Sequence, residues 1–155
     1  MPFEARIDLE TLSATDALGA RIAAGLRQGD TVALAGDLGA GKTTLARAIL
    51  RALAVTENMP SPTFTLVQTY ETPGLTVRHF DLYRIEDERE IDELGLDEAV
   101  DQGAVLIEWP ERAGSRLPDD PLFVSLTSTS LQSRRADITG PARWAPILLD
   151  HNIVR

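Results

Sequence analysis

The chain contains no cysteine among its 155 residues. That excludes a disulfide scaffold, a cysteine-ligated zinc or iron–sulfur site and a cysteine nucleophile. Histidine is almost as scarce, with only His79 and His151, which argues against a multi-histidine metal site. No apolar run approaches the ~20 residues of a membrane span, and the opening MPFEARIDLE lacks the apolar stretch of a signal peptide. A soluble, cytoplasmic protein is the expectation. Lysine is the sharpest scarcity, since Lys42 is the only one and every other basic residue is arginine.

Basic charge is also thin overall. The net charge is −9, and residues 86–101 (EDEREIDELGLDEAVD) account for most of it with nine carboxylates and one arginine. The rest of the chain is close to neutral. Nothing in it forms the basic stripe that direct nucleic-acid binding requires. The acidic run reads first as a solvated helix face and second as a docking surface. The length suits one domain of the usual ~100–150 residues. A single domain over 1–155 is expected, with the tail from about 142 left open.

Apolar spacing supplies the elements. Arg6–Leu9 reads as a short strand. Ser13–Asp16 resembles a capping box ahead of a helix carrying Leu18, Ile22 and Leu26 on one face and stopping at Gly29. Thr31–Ala35 is a short apolar run between glycines, the mark of a buried strand. Leu45, Ile49 and Leu53 share a face of a helix from Lys42 to Leu53. Phe64–Tyr70 and Leu75–Phe80, joined by Thr72-Pro73-Gly74, predict a hairpin. The acidic run predicts a helix broken at Gly95, and Ala104–Ile107 a second buried strand of the parallel type. Leu122–Leu126 and Arg134–Thr139 read as strands that pair, and the tail with Trp144, Ile147 and Leu148 as a last amphipathic helix. The order predicts a three-layer α/β/α fold with a central, mostly parallel sheet and antiparallel additions.

One motif carries chemistry. Gly36-Asp37-Leu38-Gly39-Ala40-Gly41-Lys42-Thr43 fits G-x-x-x-x-G-K-[ST], the P-loop, between a buried strand and a helix. Glycines permit the tight turns that converge backbone N–H groups on phosphate oxygens. The following helix aims its positive end at the same anion. Lys42 would reach the β- and γ-phosphates and the Thr43 hydroxyl would ligate Mg²⁺. A carboxylate partner for the metal is expected at a strand end. Glu108, after Ala104–Ile107, is favoured, and Asp81, after Leu75–Phe80, is the other candidate for metal or attacking water. Thr63 or Thr65 suits a switch threonine as well as a plain loop residue. Trp109, Tyr83 and His79 read by default as packing residues.

Three classes of P-loop protein then compete. A Ras-like GTPase is excluded because N-K-x-D needs a second lysine. A small nucleoside or metabolite kinase remains as the alternative, although the chain is short for an acceptor pocket and an arginine-rich lid. An ATPase that drives a partner ranks first.

The chain resembles the bacterial TsaE (YjeE) family. The resemblance rests on Gly36–Thr44, on Ser61-Pro62-Thr63-Phe64-Thr65-Leu66-Val67, on His79-Phe80-Asp81-Leu82-Tyr83-Arg84, on Glu93-Leu94-Gly95 and on Ile107-Glu108-Trp109-Pro110-Glu111. It implies a weak Mg²⁺-dependent ATPase of tRNA threonylcarbamoyladenosine synthesis. Such a protein works through nucleotide-dependent association with the threonylcarbamoyl transferase TsaD and its paralogue TsaB, and meets tRNA only through that complex. By matched position, Gly36 and the stretch Gly39, Ala40, Gly41, Lys42, Thr43 and Thr44 would hold ATP. Thr43 and Glu108 would hold Mg²⁺, and Lys42, Asp81, Glu108 and Trp109 would serve activity. Thr11 and Arg134 align more loosely with nucleotide-contacting positions.

Overall fold

The computed structural model describes residues 2–56, 58–59 and 66–149. Seven strands form one sheet: β1 (Pro2–Leu9), β2 (Thr31–Ala35), β3 (Val67–Thr72), β4 (Leu75–Asp81), β5 (Ala104–Glu108), β6 (Leu122–Ser128) and β7 (Arg134–Pro141). Their order across the sheet is β1-β7-β6-β2-β5-β4-β3. The four central strands β6, β2, β5 and β4 run parallel. Antiparallel pairs β6–β7, β7–β1 and β4–β3 extend it at both edges. This is the expected mostly parallel centre with antiparallel additions.

The helices make the outer layers. They are α1 (Leu12–Gly25), α2 (Lys42–Ala52), α3 (Glu90–Leu94), α4 (Leu96–Gln102) and α5 (Ala145–Leu148). Strands alternate their side chains between faces, so each central strand feeds two cores. Leu106 and Ala104 of β5 join Val32, Leu34, Leu45 and Ile49 under α1 and α2. Val105 and Ile107 point the other way, to Phe80, Ile91, Leu96 and Ala99 under α3 and α4. Where no helix covers β1 and β7 their outer face is polar, with Arg6 Nε donating to Asp137 at 2.8 Å.

Several boundaries differ from expectation for local reasons. α1 opens two residues early. Thr11, not Ser13, is its cap, because the Thr11 hydroxyl accepts from Ala14 N at 3.2 Å. β1 begins at Pro2, since pairing along the whole of β7 supplies partners that four apolar-alternating residues do not announce. The acidic run does break at Gly95, which adopts φ +72 between α3 and α4. The tail helix is short: a 3-10 turn over Ala142–Trp144 leads into the four residues of α5. Trp144 anchors it, 2% exposed, and its ring lies 2.7 Å from where a Cβ on Gly25 would sit. The hairpin β3–β4 forms around the expected turn. Phe64 and Thr65, placed in its first strand from sequence, lie outside the described residues. The same holds for the candidate switch loop Ser61–Thr65 and for the chain beyond Leu149. Among the described residues no helix is long and apolar enough to cross a membrane.

Candidate functional site

The Gly36–Thr43 loop leaves the C-terminal end of β2, a central strand, and enters α2 directly. Two glycines are required by its path. Gly36 has φ +145, and a Cβ there would stand 2.6 Å from the Leu126 carbonyl oxygen. Gly41 caps α2 in the left-handed region at φ +104, where an L side chain is strained. The turn sets Lys42 and Thr43 as the first two residues of α2.

The two candidate carboxylates arrive from neighbouring strands. β4 and β5 pair in parallel with Asp81 opposite Glu108, so both residues end their strands side by side. By strand alternation both face α2, as Leu106 does. The Thr43 hydroxyl donates to Glu108, 2.8 Å from Oε1 and 3.0 Å from Oε2. Asp81 Oδ1 accepts from Tyr83 N at 3.0 Å, which bends the chain out of β4. Glu108 and Asp81 are buried, at 2% and 5% exposure. A buried carboxylate must be hydrogen-bonded or neutralised. Glu108 has a second partner that the sequence reading treated as mere packing: His79 Nε2 lies 2.6 Å from its Oε2.

Lys42 lies across the loop. Its Nζ donates to the carbonyl oxygens of Gly36 and Asp37, the latter at 3.1 Å. The same ammonium sits 3.9 Å from the centre of the Trp109 ring, a cation–π contact. Burial pushes the Lys42 pKa down, opposed by the carboxylates of Glu108, Glu111, Asp81 and Asp37. Trp109 holds φ +60, a left-handed conformation that is a genuine outlier for a bulky residue. Such strain costs on the order of 1–3 kcal/mol and clusters at functional sites. Trp109 is thus not simply core. It is half-buried, and Tyr83 packs on it at 4.9 Å between ring centres. Tyr83 packs as expected, but at the rim, where it stays 43% exposed.

These groups line one cleft of ≈ 290 Å³. Gly39, Gly41, Lys42, Thr43, Thr44, Asp81, Glu108, Trp109 and Arg134 all reach it, so most of the residues singled out from sequence converge. A second recess shares Gly41, Thr44 and Arg134 and adds Ala40 with the apolar Leu9, Leu12, Leu126 and Leu131. Gly36 contributes its carbonyl to Lys42 rather than a cleft wall. Thr11 is not brought to either recess; its hydroxyl caps α1, and its neighbour Leu12 lines the second. Arg134 has a role that its alignment did not announce. Its Nε donates to Ala40 O at 3.0 Å and its Nη1 to Ser133 O at 2.9 Å, fastening the loop to the β6–β7 turn.

The donor set suits a small hard cation. Mg²⁺ is commonly held by one or two protein oxygens with phosphate and water completing the shell. Thr43 Oγ1 and Glu108 Oε1 offer two oxygens in contact beside the glycine loop. Among the described residues no cluster of three or more His, Asp or Glu forms an all-protein cation cage.

Four of the large apolar side chains exposed among the described residues, Leu12, Leu38, Tyr83 and Leu131, border these two recesses.

Comparison with known proteins supplies the family. Residues 9–136 match the family model described as "Threonylcarbamoyl adenosine biosynthesis protein TsaE". The Bacillus subtilis (strain 168) tRNA threonylcarbamoyladenosine biosynthesis protein TsaE is 38% identical over 126 residues, covering 81% of this chain and 78% of that protein. The protein of the same name from Rickettsia felis is 46% identical over 98 residues. That match takes in 63% of this chain and 57% of the longer relative. The crystal structure of Bacillus subtilis YdiB superposes with a TM-score of 0.81 at 29% identity, covering 98% of each chain. With the family model matched over residues 9–136, which span the glycine loop and both strand-end carboxylates, and with a matching backbone, the chain belongs to the TsaE family.

Proposed function

We propose that this protein is a Mg²⁺-dependent ATPase of tRNA threonylcarbamoyladenosine (t6A) biosynthesis. It acts by nucleotide-dependent association with the TsaD–TsaB threonylcarbamoyl transferase complex. The observation that carries this reading is the convergence of Lys42, Thr43 and Glu108 at one end of the parallel sheet. Family membership supports the pathway.

Each residue has work that its position supports. Lys42 exchanges its carbonyl partners for phosphate oxygens, a stronger charge-assisted contact. Thr43 and Glu108 present the metal-holding oxygens. Mg²⁺, when bound, neutralises developing phosphate charge. Asp81, level with Glu108, orients the attacking water. The Trp109 ring over Lys42 keeps bulk water from that side. The apolar recess of Leu9, Leu12, Leu126 and Leu131 is suited to one face of the adenine ring.

The cleft is short of one part. Arg134 is the arginine on its wall among the described residues, and its guanidinium is committed to loop carbonyls. An arginine finger is worth ~10³–10⁵ in rate. Without one, hydrolysis by the isolated protein is slow, and a partner seated on the apolar rim completes the site. Neutral and acidic surfaces fit this division of labour, since the complex and not this chain then carries the tRNA.

The test is ATP turnover by the purified protein alone and with its own organism's TsaD–TsaB pair. Turnover alone is expected well below the median enzyme value of ~10 s⁻¹, with clear stimulation by the pair. Lack of stimulation, with phosphate passing to a nucleoside or small metabolite, would overturn the reading in favour of a kinase.

Trp109→Ala separates docking from folding. Aromatic anchors at the centre of interfaces are worth about 2 kcal/mol or more, which corresponds to roughly 30-fold in affinity. Partner-stimulated turnover is therefore expected to fall at least about 10-fold, while the thermal midpoint stays within a few degrees of the parent. A collapse of the folded state instead would assign Trp109 to the core.

A further inference from the structure

His79 lies in β4, two residues before Asp81, and is 1% exposed. Its neighbour across the parallel ladder is Leu106, two residues before Glu108. On its own face of β4, Val77 two residues before it is a wholly buried apolar side chain, as is the adjacent Phe80. An imidazole in such a strand costs free energy unless a polar partner receives it. Its partner is Glu108: Nε2 to Oε2 is 2.6 Å, and the two side chains are 2% and 3% exposed. His79 does not reach the cleft. Its contact with the site is Glu108, so its effect on chemistry there passes through that carboxylate.

We propose that His79 is the positioning residue for Glu108, holding the metal-binding carboxylate in the orientation that turns Oε1 toward Thr43 and the cleft. A glutamate side chain has three rotatable bonds, and the strand end alone does not choose among its rotamers. Contacts from two elements do. Nε2–H of His79 holds Oε2 at 2.6 Å from β4, and the Thr43 hydroxyl of α2 meets the carboxylate 2.8 Å from Oε1 and 3.0 Å from Oε2. Oε1, which the imidazole does not engage, is the oxygen nearer Thr43. Partners that orient a metal-holding group commonly account for 10–100-fold in metal affinity. The inference rests on the reading that Thr43 and Glu108 hold Mg²⁺ beside bound nucleotide.

The side-chain geometry provides two matched variants. The Gln amide nitrogen falls near the position of a histidine Nε2, so His79→Gln keeps a donor within reach of Oε2. The Asn amide nitrogen falls near Nδ1, so His79→Asn keeps a polar group but removes that contact. The experiment titrates Mn²⁺, read by the loss of its free electron paramagnetic resonance signal. It uses the full chain with ADP, at protein concentrations that bind all the nucleotide. ADP affinity in EDTA and thermal unfolding are measured alongside.

His79→Asn is expected to weaken Mn²⁺ uptake by about 10–100-fold while metal-free ADP affinity is unchanged, and His79→Gln to restore uptake to within a few-fold of the parent. Unchanged uptake in His79→Asn would overturn the inference. Equal weakening in both variants would also overturn it, by showing that ring packing and not the hydrogen bond matters. If His79→Asn does not fold, His79→Gln decides alone, since a ten-fold loss there refutes the donor role and near-parental uptake upholds it. A parent protein that binds ADP but takes up no Mn²⁺ would fail at the earlier step, refuting the metal reading on which the inference stands.

Discussion

Lys42→Ala is expected to abolish nucleotide turnover without unfolding the protein. No other lysine exists to replace it. The Nζ group is held at the mouth of α2 by Gly36 and Asp37 carbonyls and the Trp109 ring, ready to move to an incoming phosphate. Removing a single preorganised donor from a reacting oxyanion costs about 10²–10³ in rate. A full positive charge in a half-enclosed cleft should lie at the upper end. Stability behaves differently. Burial lowers the Lys42 pKa, so the folded state holds this proton less tightly than the unfolded chain does. The charge is then a small penalty to folding at neutral pH, and it disappears only as pH rises past both pKa values. Its removal offsets the loss of the carbonyl contacts. The thermal midpoint is expected to move by less than about 4 °C, or ~1 kcal/mol for a chain of this size. The check is ATP hydrolysis with and without the partner pair, beside a melting curve. Retained hydrolysis would refute the phosphate-cradling role.

Glu108→Gln is expected to uncouple turnover from Mg²⁺ while keeping the fold. The amide has the carboxylate's shape, so its oxygen can still accept from Thr43 or His79. What it lacks is the negative charge that draws the cation. Metal stabilisation of phosphoryl transfer amounts to several kcal/mol, so turnover should drop by about 10²-fold or more. The residual rate should no longer respond to added Mg²⁺. Glu108→Ala makes the informative contrast. It leaves His79 Nε2 without its partner in a buried place, whereas the half-buried Thr43 hydroxyl lines the cleft. An orphaned buried polar group costs about 1–3 kcal/mol. At ~2–4 °C per kcal/mol for this length, the Ala variant should melt roughly 2–12 °C below the parent, and the Gln variant near it. A Mg²⁺ response preserved in Glu108→Gln would remove Glu108 from the metal site.

How much of this was legible in the linear chain varied by residue, for identifiable reasons. Lys42 and Thr43 were readable because a strand, a glycine turn and a helix start are all local, and the motif states them in eight consecutive positions. Glu108 and Asp81 were readable as strand ends, since an apolar run closing on a carboxylate is a local pattern too. That the two stand level was not readable, because the register of β4 against β5 depends on residues far apart in sequence. His79 was read as a packed histidine, and it is packed. Its contact with Glu108 could not be read, because that partner is 29 positions away on another strand. The place of Tyr83 and Trp109 is not local either. An aromatic after a buried strand usually continues the core, but Trp109 takes a left-handed turn and its ring lies by Lys42, with Tyr83 packed on it at the rim.

The amino-acid order thus decided the class of fold, the glycine loop and the identity of the chemical groups, because hydrophobic period and turn chemistry act over a few residues. It decided the missing features equally: no thiol, one ammonium, little basic surface. Folding decided which groups meet. Sheet order brings β4, β5 and β2 together from separate parts of the chain, and only then do His79, Glu108 and Thr43 form a single line from the buried sheet into the cleft. Those contacts span 29 and 65 positions. They exist because burying two apolar faces of one sheet fixes the register, and the register places the charges.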